Sequence, residues 1–226
     1  MIICPNCQLQ NENDSEFCYS CRHGLGETDH QQAPAPDSIL GGIPSDPSIL
    51  TSPTGEEDWD ETLEDYEKAI ARNPRDPEPY FNRGILYLDL GESAMAIQDF
   101  DQAVRLNPDE PDFYLHRGVA YENLEQHDNA IGEYSHVIRI EPEDNDGWVN
   151  RGVVYFKTGD YQRAVSDFAE AARLEPEDGA LYAYQALAAT LASMDSAADG
   201  LMEQAVELGV DDTLLSMVMG ELKKRR

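Results

Sequence analysis

The chain has 226 residues, with 45 Asp and Glu against 16 Lys and Arg and a formal net charge of −29. A field of that sign repels phosphate backbones and anionic lipid and attracts basic proteins or peptides, which argues against nucleic acid or a membrane surface as partner. No stretch approaches the ~18 consecutive apolar residues that a membrane span needs, so the expectation is a soluble, cytoplasmic protein.

In chain order the first element is residues 1–23, where Cys4, Cys7, Cys18 and Cys21 account for every cysteine. Two CxxC pairs place four thiolates around one tetrahedral ion, and with all four positions filled the site is closed and structural, without room for a catalytic water. So short a segment cannot build a sufficient core, and a metal would supply the folding energy, roughly 10–16 kcal/mol in comparable zinc peptides. Rubredoxin-like iron and a pair of disulfides are the competing readings; Met1-Ile2-Ile3 runs directly into Cys4, with no signal peptide to suggest an oxidising compartment. His23 reads as a bystander beside a complete cysteine set. Ile3-Cys4-Pro5-Asn6-Cys7 and Glu16-Phe17-Cys18-Tyr19-Ser20-Cys21 resemble the short zinc ribbons at the N-termini of bacterial proteins, which implies one structural Zn2+. Gln8 and Arg22 stand where such ribbons commonly carry Gly.

Residues 24–57 are rich in Pro, Gly, Ser and Asp and lack helical periodicity, the composition of a flexible acidic linker. Ser38-Ile39-Leu40 and Ser48-Ile49-Leu50 echo one another within it. They read as occasional apolar linker residues or as short docking motifs for the chain's own repeats or a partner's.

A helix follows over 58–76, with Leu63, Tyr66, Ala69 and Ile70 before Pro74, in phase with the second helix of a repeat whose first is missing. It reads as an N-terminal cap. The repeat itself is a pattern of period 34: Tyr80, Arg83, Gly84, Tyr87, Ala96, Phe100, Ala103 and Pro108 return as Tyr114, Arg117, Gly118, Tyr121, Ala130, Tyr134, Val137 and Pro142. They return again as Trp148, Arg151, Gly152, Tyr155, Ala164, Phe168, Ala171 and Pro176. Within each period the spacing i, i+4, i+7 appears twice, giving two antiparallel helices whose small residues mark a close crossing and whose Pro stops the second helix. A fixed period of this size marks stacked units that share one continuous core.

This skeleton resembles the tetratricopeptide repeat (TPR). The resemblance implies an all-α solenoid of helical hairpins forming a superhelix, preceded here by a small zinc ribbon on a disordered linker. Its repeats are 77–110, 111–144 and 145–178, a degenerate fourth at 179–210 and a C-terminal capping helix at 211–226, about nine helices in all. Arg83, Arg117 and Arg151 occupy a position usually filled by Leu in the family, and each has a carboxylate 16 residues on, Asp99, Glu133 and Asp167. They are expected to pair between helices as a register device, contributing only ~0–1 kcal/mol each if partly exposed.

No P-loop, G-x-G-x-x-G, H-E-x-x-H or G-x-S-x-G motif occurs, so no catalytic site is expected. Carboxylates at repeat junctions, such as Glu141-Pro142-Glu143-Asp144 and Glu175-Pro176-Glu177-Asp178, precede helix starts and suit capping. The C-terminal Lys223-Lys224-Arg225-Arg226 suits a helix C-terminus for the converse reason. The family resemblance implies a peptide-binding groove lined by the first helices: Glu78, Phe81, Asn82 and Ile85; Asp112, Leu115, His116 and Val119; Asp146, Val149, Asn150, Val153 and Phe156. The apolar members of this set, with Leu88, either meet a ligand or pack one first helix on the next. The acids at Glu78, Asp112 and Asp146 disfavour clamping of a terminal carboxylate. The function expected is a non-enzymatic adaptor for a protein or peptide with basic and apolar side chains. A nucleic-acid-associated regulator using the ribbon, or an accessory subunit of an enzyme complex, are the alternatives, the former weakened because Arg22 is the ribbon's single base.

Overall fold

The structure, a computed structural model of the chain, describes Ile2–Ile3, Gln10–Asn11 and residues 59–225, with side chains over 62–224. The chain divides into two units, Met1–Ala33 and Pro34–Arg226. In the first, β1 (Ile2–Ile3) and β2 (Gln10–Asn11) pair antiparallel, Ile2 opposite Asn11 and Ile3 opposite Gln10. The four cysteines and the linker with its Ser-Ile-Leu echoes lie outside the described residues.

The second unit holds α1 (Trp59–Arg72), α2 (Glu78–Asp89), α3 (Ser93–Leu106), α4 (Pro111–Asn123), α5 (His127–Ile140), α6 (Asp146–Lys157), α7 (Tyr161–Leu174), α8 (Gly179–Leu191), α9 (Asp195–Glu207) and α10 (Asp212–Arg225). Each helix packs on its sequence neighbours, as in a one-dimensional stack. The described residues therefore contain ten helices where the sequence suggests about nine. The cap, the four hairpins and the closing helix expected above themselves sum to ten, and the fourth repeat forms its hairpin despite a faded consensus. Leu181, Ala183, Tyr184 and Leu187 of α8 are buried, and the Phe168 and Tyr184 rings stack with centroids 5.3 Å apart. Small Ala side chains replace the larger ones, and α10 closes the gap by burying Leu215, Val218, Met219 and Leu222 in the same core.

Within a hairpin the two helices approach until the aromatic of the second lies on the glycine of the first. A Cβ added at Gly84 would sit 2.6 Å from Phe100, at Gly118 2.5 Å from Tyr134, and at Gly152 2.8 Å from Phe168. Those three rings are 0% exposed. The helices are joined by one repeated device. Gly91, Glu125, Gly159 and Ser193, spaced by the repeat period, all take positive φ. The amide that follows each donates to the carbonyl five residues back, Glu92 to Tyr87, Gln126 to Tyr121, Asp160 to Tyr155 and Met194 to Ala189. These are Schellman closures, which satisfy the orphan carbonyls at a helix end. Glycine adopts this conformation freely, whereas Glu125 and Ser193 hold it at a cost of roughly 1–2 kcal/mol each.

The junctions between repeats are capped as the sequence suggests. Asp144 accepts from the Asp146 amide at 2.8 Å and Asp178 from the Ala180 amide at 2.8 Å. The leading aromatic of a repeat reaches back to the proline carbonyl six residues earlier. Tyr114 Oη donates to Pro108 O at 3.0 Å and Trp148 Nε1 to Pro142 O at 3.3 Å.

Gly118→Leu should lower the stability of the helical unit by ~1–3 kcal/mol, because Tyr134 has no buried space to retreat into. Urea unfolding followed by circular dichroism measures it, and an unchanged midpoint would contradict the crossing geometry.

Candidate peptide-binding groove

The first helices α2, α4, α6 and α8 present equivalent positions to one face, and a ladder of arginines fixes their register. Arg83 donates to both Asp99 oxygens from Nε and Nη2, at 2.7 and 2.8 Å, and Arg151 does the same to Asp167 at 2.8 and 2.8 Å. Arg117 donates to Glu133 at 2.7 Å, the expected partner, and also to Asp101 of the preceding repeat at 2.7 Å. Arg151 likewise reaches back to Ser135 Oγ at 2.9 Å. The hydrogen bonds to Asp99 and Asp167 hold Arg83 and Arg151 above the ordinary guanidinium value. For Arg117 burial works against the charge and the two carboxylates overcome it, whereas burial pushes Glu133 up despite Arg117.

These pairs are more enclosed than the sequence suggests. The three arginine side chains are 15–18% exposed and Asp99 and Asp167 only 7% and 6%. With so little of either partner exposed, solvent screening is weaker than for a surface ion pair.

Among the groove residues, the apolar set is largely committed to packing. Leu115 and Phe156 are 5% and 3% exposed. Phe81 lies 4.9 Å from the Phe113 ring and 5.0 Å from the His116 ring, both on the next first helix. Ile85 and Leu88 pack on the Ala96, Phe100 and Ala120 core, and Val149 packs on the Ala171, Ala172 and Leu181 core. Val119 and Val153 are half-buried.

The polar set is more accessible. Glu78 and Asp112 are exposed, and Asp146, Asn82, His116 and Asn150 are half-buried. Asn150 Nδ2 donates to Asp146 O at 2.8 Å and His116 Nδ1 lies 2.9 Å from Asp112 O, one helical turn back, which fixes both side chains along their helices. Each keeps its other polar atom for an outside group, the Asn carbonyl as acceptor and the His Nε2 as donor or acceptor.

One contributor was not foreseen. Glu122 accepts from Tyr134 Oη at 2.7 Å and from Lys157 Nζ at 2.8 Å, joining α4 to α5 and α6. Burial, with Glu122 adding to it, lifts the Tyr134 phenol well above its usual value. The signal was present: Tyr134 is the one hydroxyl among Phe100, Tyr134 and Phe168, in the one repeat with an acid, Glu122, where the others carry Leu88 and Phe156. Among the described residues no cluster of His, Cys, Asp and Glu could hold a metal, and no helix is long and apolar enough to cross a membrane.

Models of the tetratricopeptide repeat match residues 52–119, 111–144 and 146–178. Together these matches span more than half of the chain, and the chain belongs to the tetratricopeptide-repeat family. Among solved structures, the crystal structure of MamA matches with a TM-score of 0.63 at 22% identity, over 67% of this chain and 88% of that one. MamA residues 41 to the end from Desulfovibrio magneticus RS-1 match with a TM-score of 0.62 at 20% identity, over 66% and 85%. YrrB, described as a TPR protein with an unusual peptide-binding site, matches with a TM-score of 0.62 at 19% identity, over 74% and 84%. At such identities the likeness is one of fold. No curated protein matches the chain.

A double-mutant cycle on Arg151→Ala and Asp167→Ala should give a coupling of ~1–3 kcal/mol, as expected for a bidentate pair shielded from solvent. The same cycle on the exposed pair Arg173 and Glu170 should give about 0.5 kcal/mol or less. Equal couplings would show that enclosure adds nothing.

Proposed function

We propose that the protein is a non-enzymatic adaptor that binds a protein or peptide segment along the face made by α2, α4 and α6. The observation that carries this reading is the row of accessible polar side chains Asn82, His116 and Asn150, held by the packed apolar layer beneath and bordered by Glu78, Asp112 and Asp146. Amides in such a row can pair with a ligand's backbone as donor and acceptor, and the acids favour Lys or Arg in the ligand. The fold shared with YrrB, a TPR protein with an unusual peptide-binding site, supports a protein or peptide as partner. Since Leu115 and Phe156 are enclosed and Phe81 is packed on Phe113 and His116, apolar recognition rests on the half-buried Val119 and Val153 more than on a continuous greasy stripe.

Alanine at Glu78, Asn82, Asp112 and Asn150 together should weaken a recovered partner at least tenfold in Kd, about 1.4 kcal/mol or more. Removing only the two acids should slow association and flatten its salt dependence, whereas Asn150→Ala should mainly speed dissociation. Unchanged affinity in the fourfold variant, measured by calorimetry, would place the binding surface elsewhere.

The N-terminal unit is proposed as a zinc ribbon with Cys4, Cys7, Cys18 and Cys21 as ligands to one structural Zn2+. The antiparallel pairing of Ile2–Ile3 with Gln10–Asn11 supports it, since Cys4 and Cys7 fall in sequence between the two paired segments, and four thiolates suit tetrahedral zinc. Purified protein should contain one zinc per chain, and Cys18→Ser should release it with the helical circular dichroism nearly unchanged. Little bound metal together with two stable disulfides would overturn the assignment.

A further inference from the structure

The two ends of the helical array are each half of a repeat, and the halves are complementary. Helix α1 keeps the phase of a second helix, so that Tyr66 stands one period before Phe100 and Ala69 one period before Ala103. Its equivalents Phe100, Tyr134 and Phe168 are 0% exposed against a glycine of their own hairpin, whereas among the described residues no first helix precedes α1 and Tyr66 stays half-buried. Helix α10 keeps the phase of a first helix, with Gly220 whole periods after Gly84, Gly118 and Gly152. There an added Cβ would meet nothing within 4 Å, where each of those three glycines meets a ring below 3 Å. Among the described residues, one end of the helical array carries an aromatic knob without its notch, and the other a notch without its knob.

We propose that α10 of one copy and α1 of the next form a composite hairpin, joining copies of this chain head to tail. Tyr66 then seats on Gly220 of the neighbouring copy as Phe100 seats on Gly84. Two further features fit the same arrangement. Leu214 and Met217 on α10 are 58% and 55% exposed, the highest values among the large hydrophobics described. Met217 stands in phase with Phe81, whose ring packs on the first helix of the next repeat; in the composite array that helix is α2 of the next copy. Charge also matches. In an antiparallel hairpin the end of the first helix lies beside the start of the second, which would set Lys223 and Lys224 of one copy beside Glu64 of the next, a carboxylate that Lys68 already partly neutralises. Lys223 already pairs with Asp199 at 2.7 Å and Lys224 with Glu221 at 2.5 Å, both on the exposed surface, so the remaining attraction is long-range and salt-sensitive. An interface of this kind is heterologous, and repeated addition closes a ring or extends a filament.

Sedimentation velocity of the full chain tests it. The weight-average mass should rise above the 25.2 kDa monomer with concentration and fall with added salt. Gly220→Leu and Tyr66→Ala should each weaken association at least about tenfold without loss of helical circular dichroism, because neither site is filled within one copy. Gly132→Leu, at an exposed helical glycine also free of neighbours within 4 Å, should leave association intact. A photoreactive side chain at position 217, in a mixture of isotope-labelled and unlabelled chains, should crosslink to residues 59–89 of another copy. A monomer at every concentration, association indifferent to Gly220→Leu, or crosslinks confined to residues 24–57 of the same chain would overturn the proposal, the last by showing that the chain caps itself.

Discussion

The distance between the two helices of a hairpin is the constraint on which the rest of the array depends. It is set by an aromatic ring resting on a residue without a side chain, Phe100 on Gly84, Tyr134 on Gly118 and Phe168 on Gly152. With that contact made, Ala96, Ala130 and Ala164 can be 0% exposed, since only a methyl group fits between helices so close. Repeating the contact at a fixed period repeats the angle between hairpins, and a stack follows in which each unit buries the face its neighbour leaves open.

Apolar crossings of this kind do not by themselves choose a register, because buried hydrophobic area is non-directional. The arginine ladder supplies direction. A planar guanidinium bound through two nitrogens to one carboxylate, as in Arg83 with Asp99 and Arg151 with Asp167, tolerates little sliding of one helix on the other. Arg117 and Arg151 each reach back to the preceding repeat, to Asp101 and Ser135, so the same residues couple one hairpin to the next. Glu122, with Tyr134 and Lys157, adds a second polar tie between the second and third repeats. The Schellman turns complete the geometry, and the strain accepted at Glu125 and Ser193 shows that the turn conformation follows from the hairpin rather than from the residue placed there.

The groove follows from how much of the first-helix surface this packing consumes. Positions that alternate along one helix face separate into a layer spent on the neighbouring hairpin and a layer left to solvent. Phe81, Leu115 and Phe156 fall into the first, and Asn82, His116 and Asn150 into the second. The solvent-facing layer of the first helices is consequently more polar and acidic than the composition of the candidate residues suggests. Among the described residues, α1 packs on α2 alone, and α10 packs on α8 and α9.

Much of this was legible in the sequence. The period, the pairing of helices, the glycine crossings, the Arg–carboxylate partners and the capping role of Asp144 and Asp178 were readable because each depends on residues at fixed spacing along one chain. That α10 would share one core with the fourth repeat was not, because the consensus there fades to alanine and the contact depends on how α10 folds back over α8. Nor could the sequence say which apolar groove residues remain accessible, how deeply the arginine pairs are enclosed, or that Glu122 would reach two other helices. Those properties depend on what lies across from a residue in a neighbouring hairpin, and spacing along the chain fixes which face a side chain is on but not how closely the next hairpin covers it.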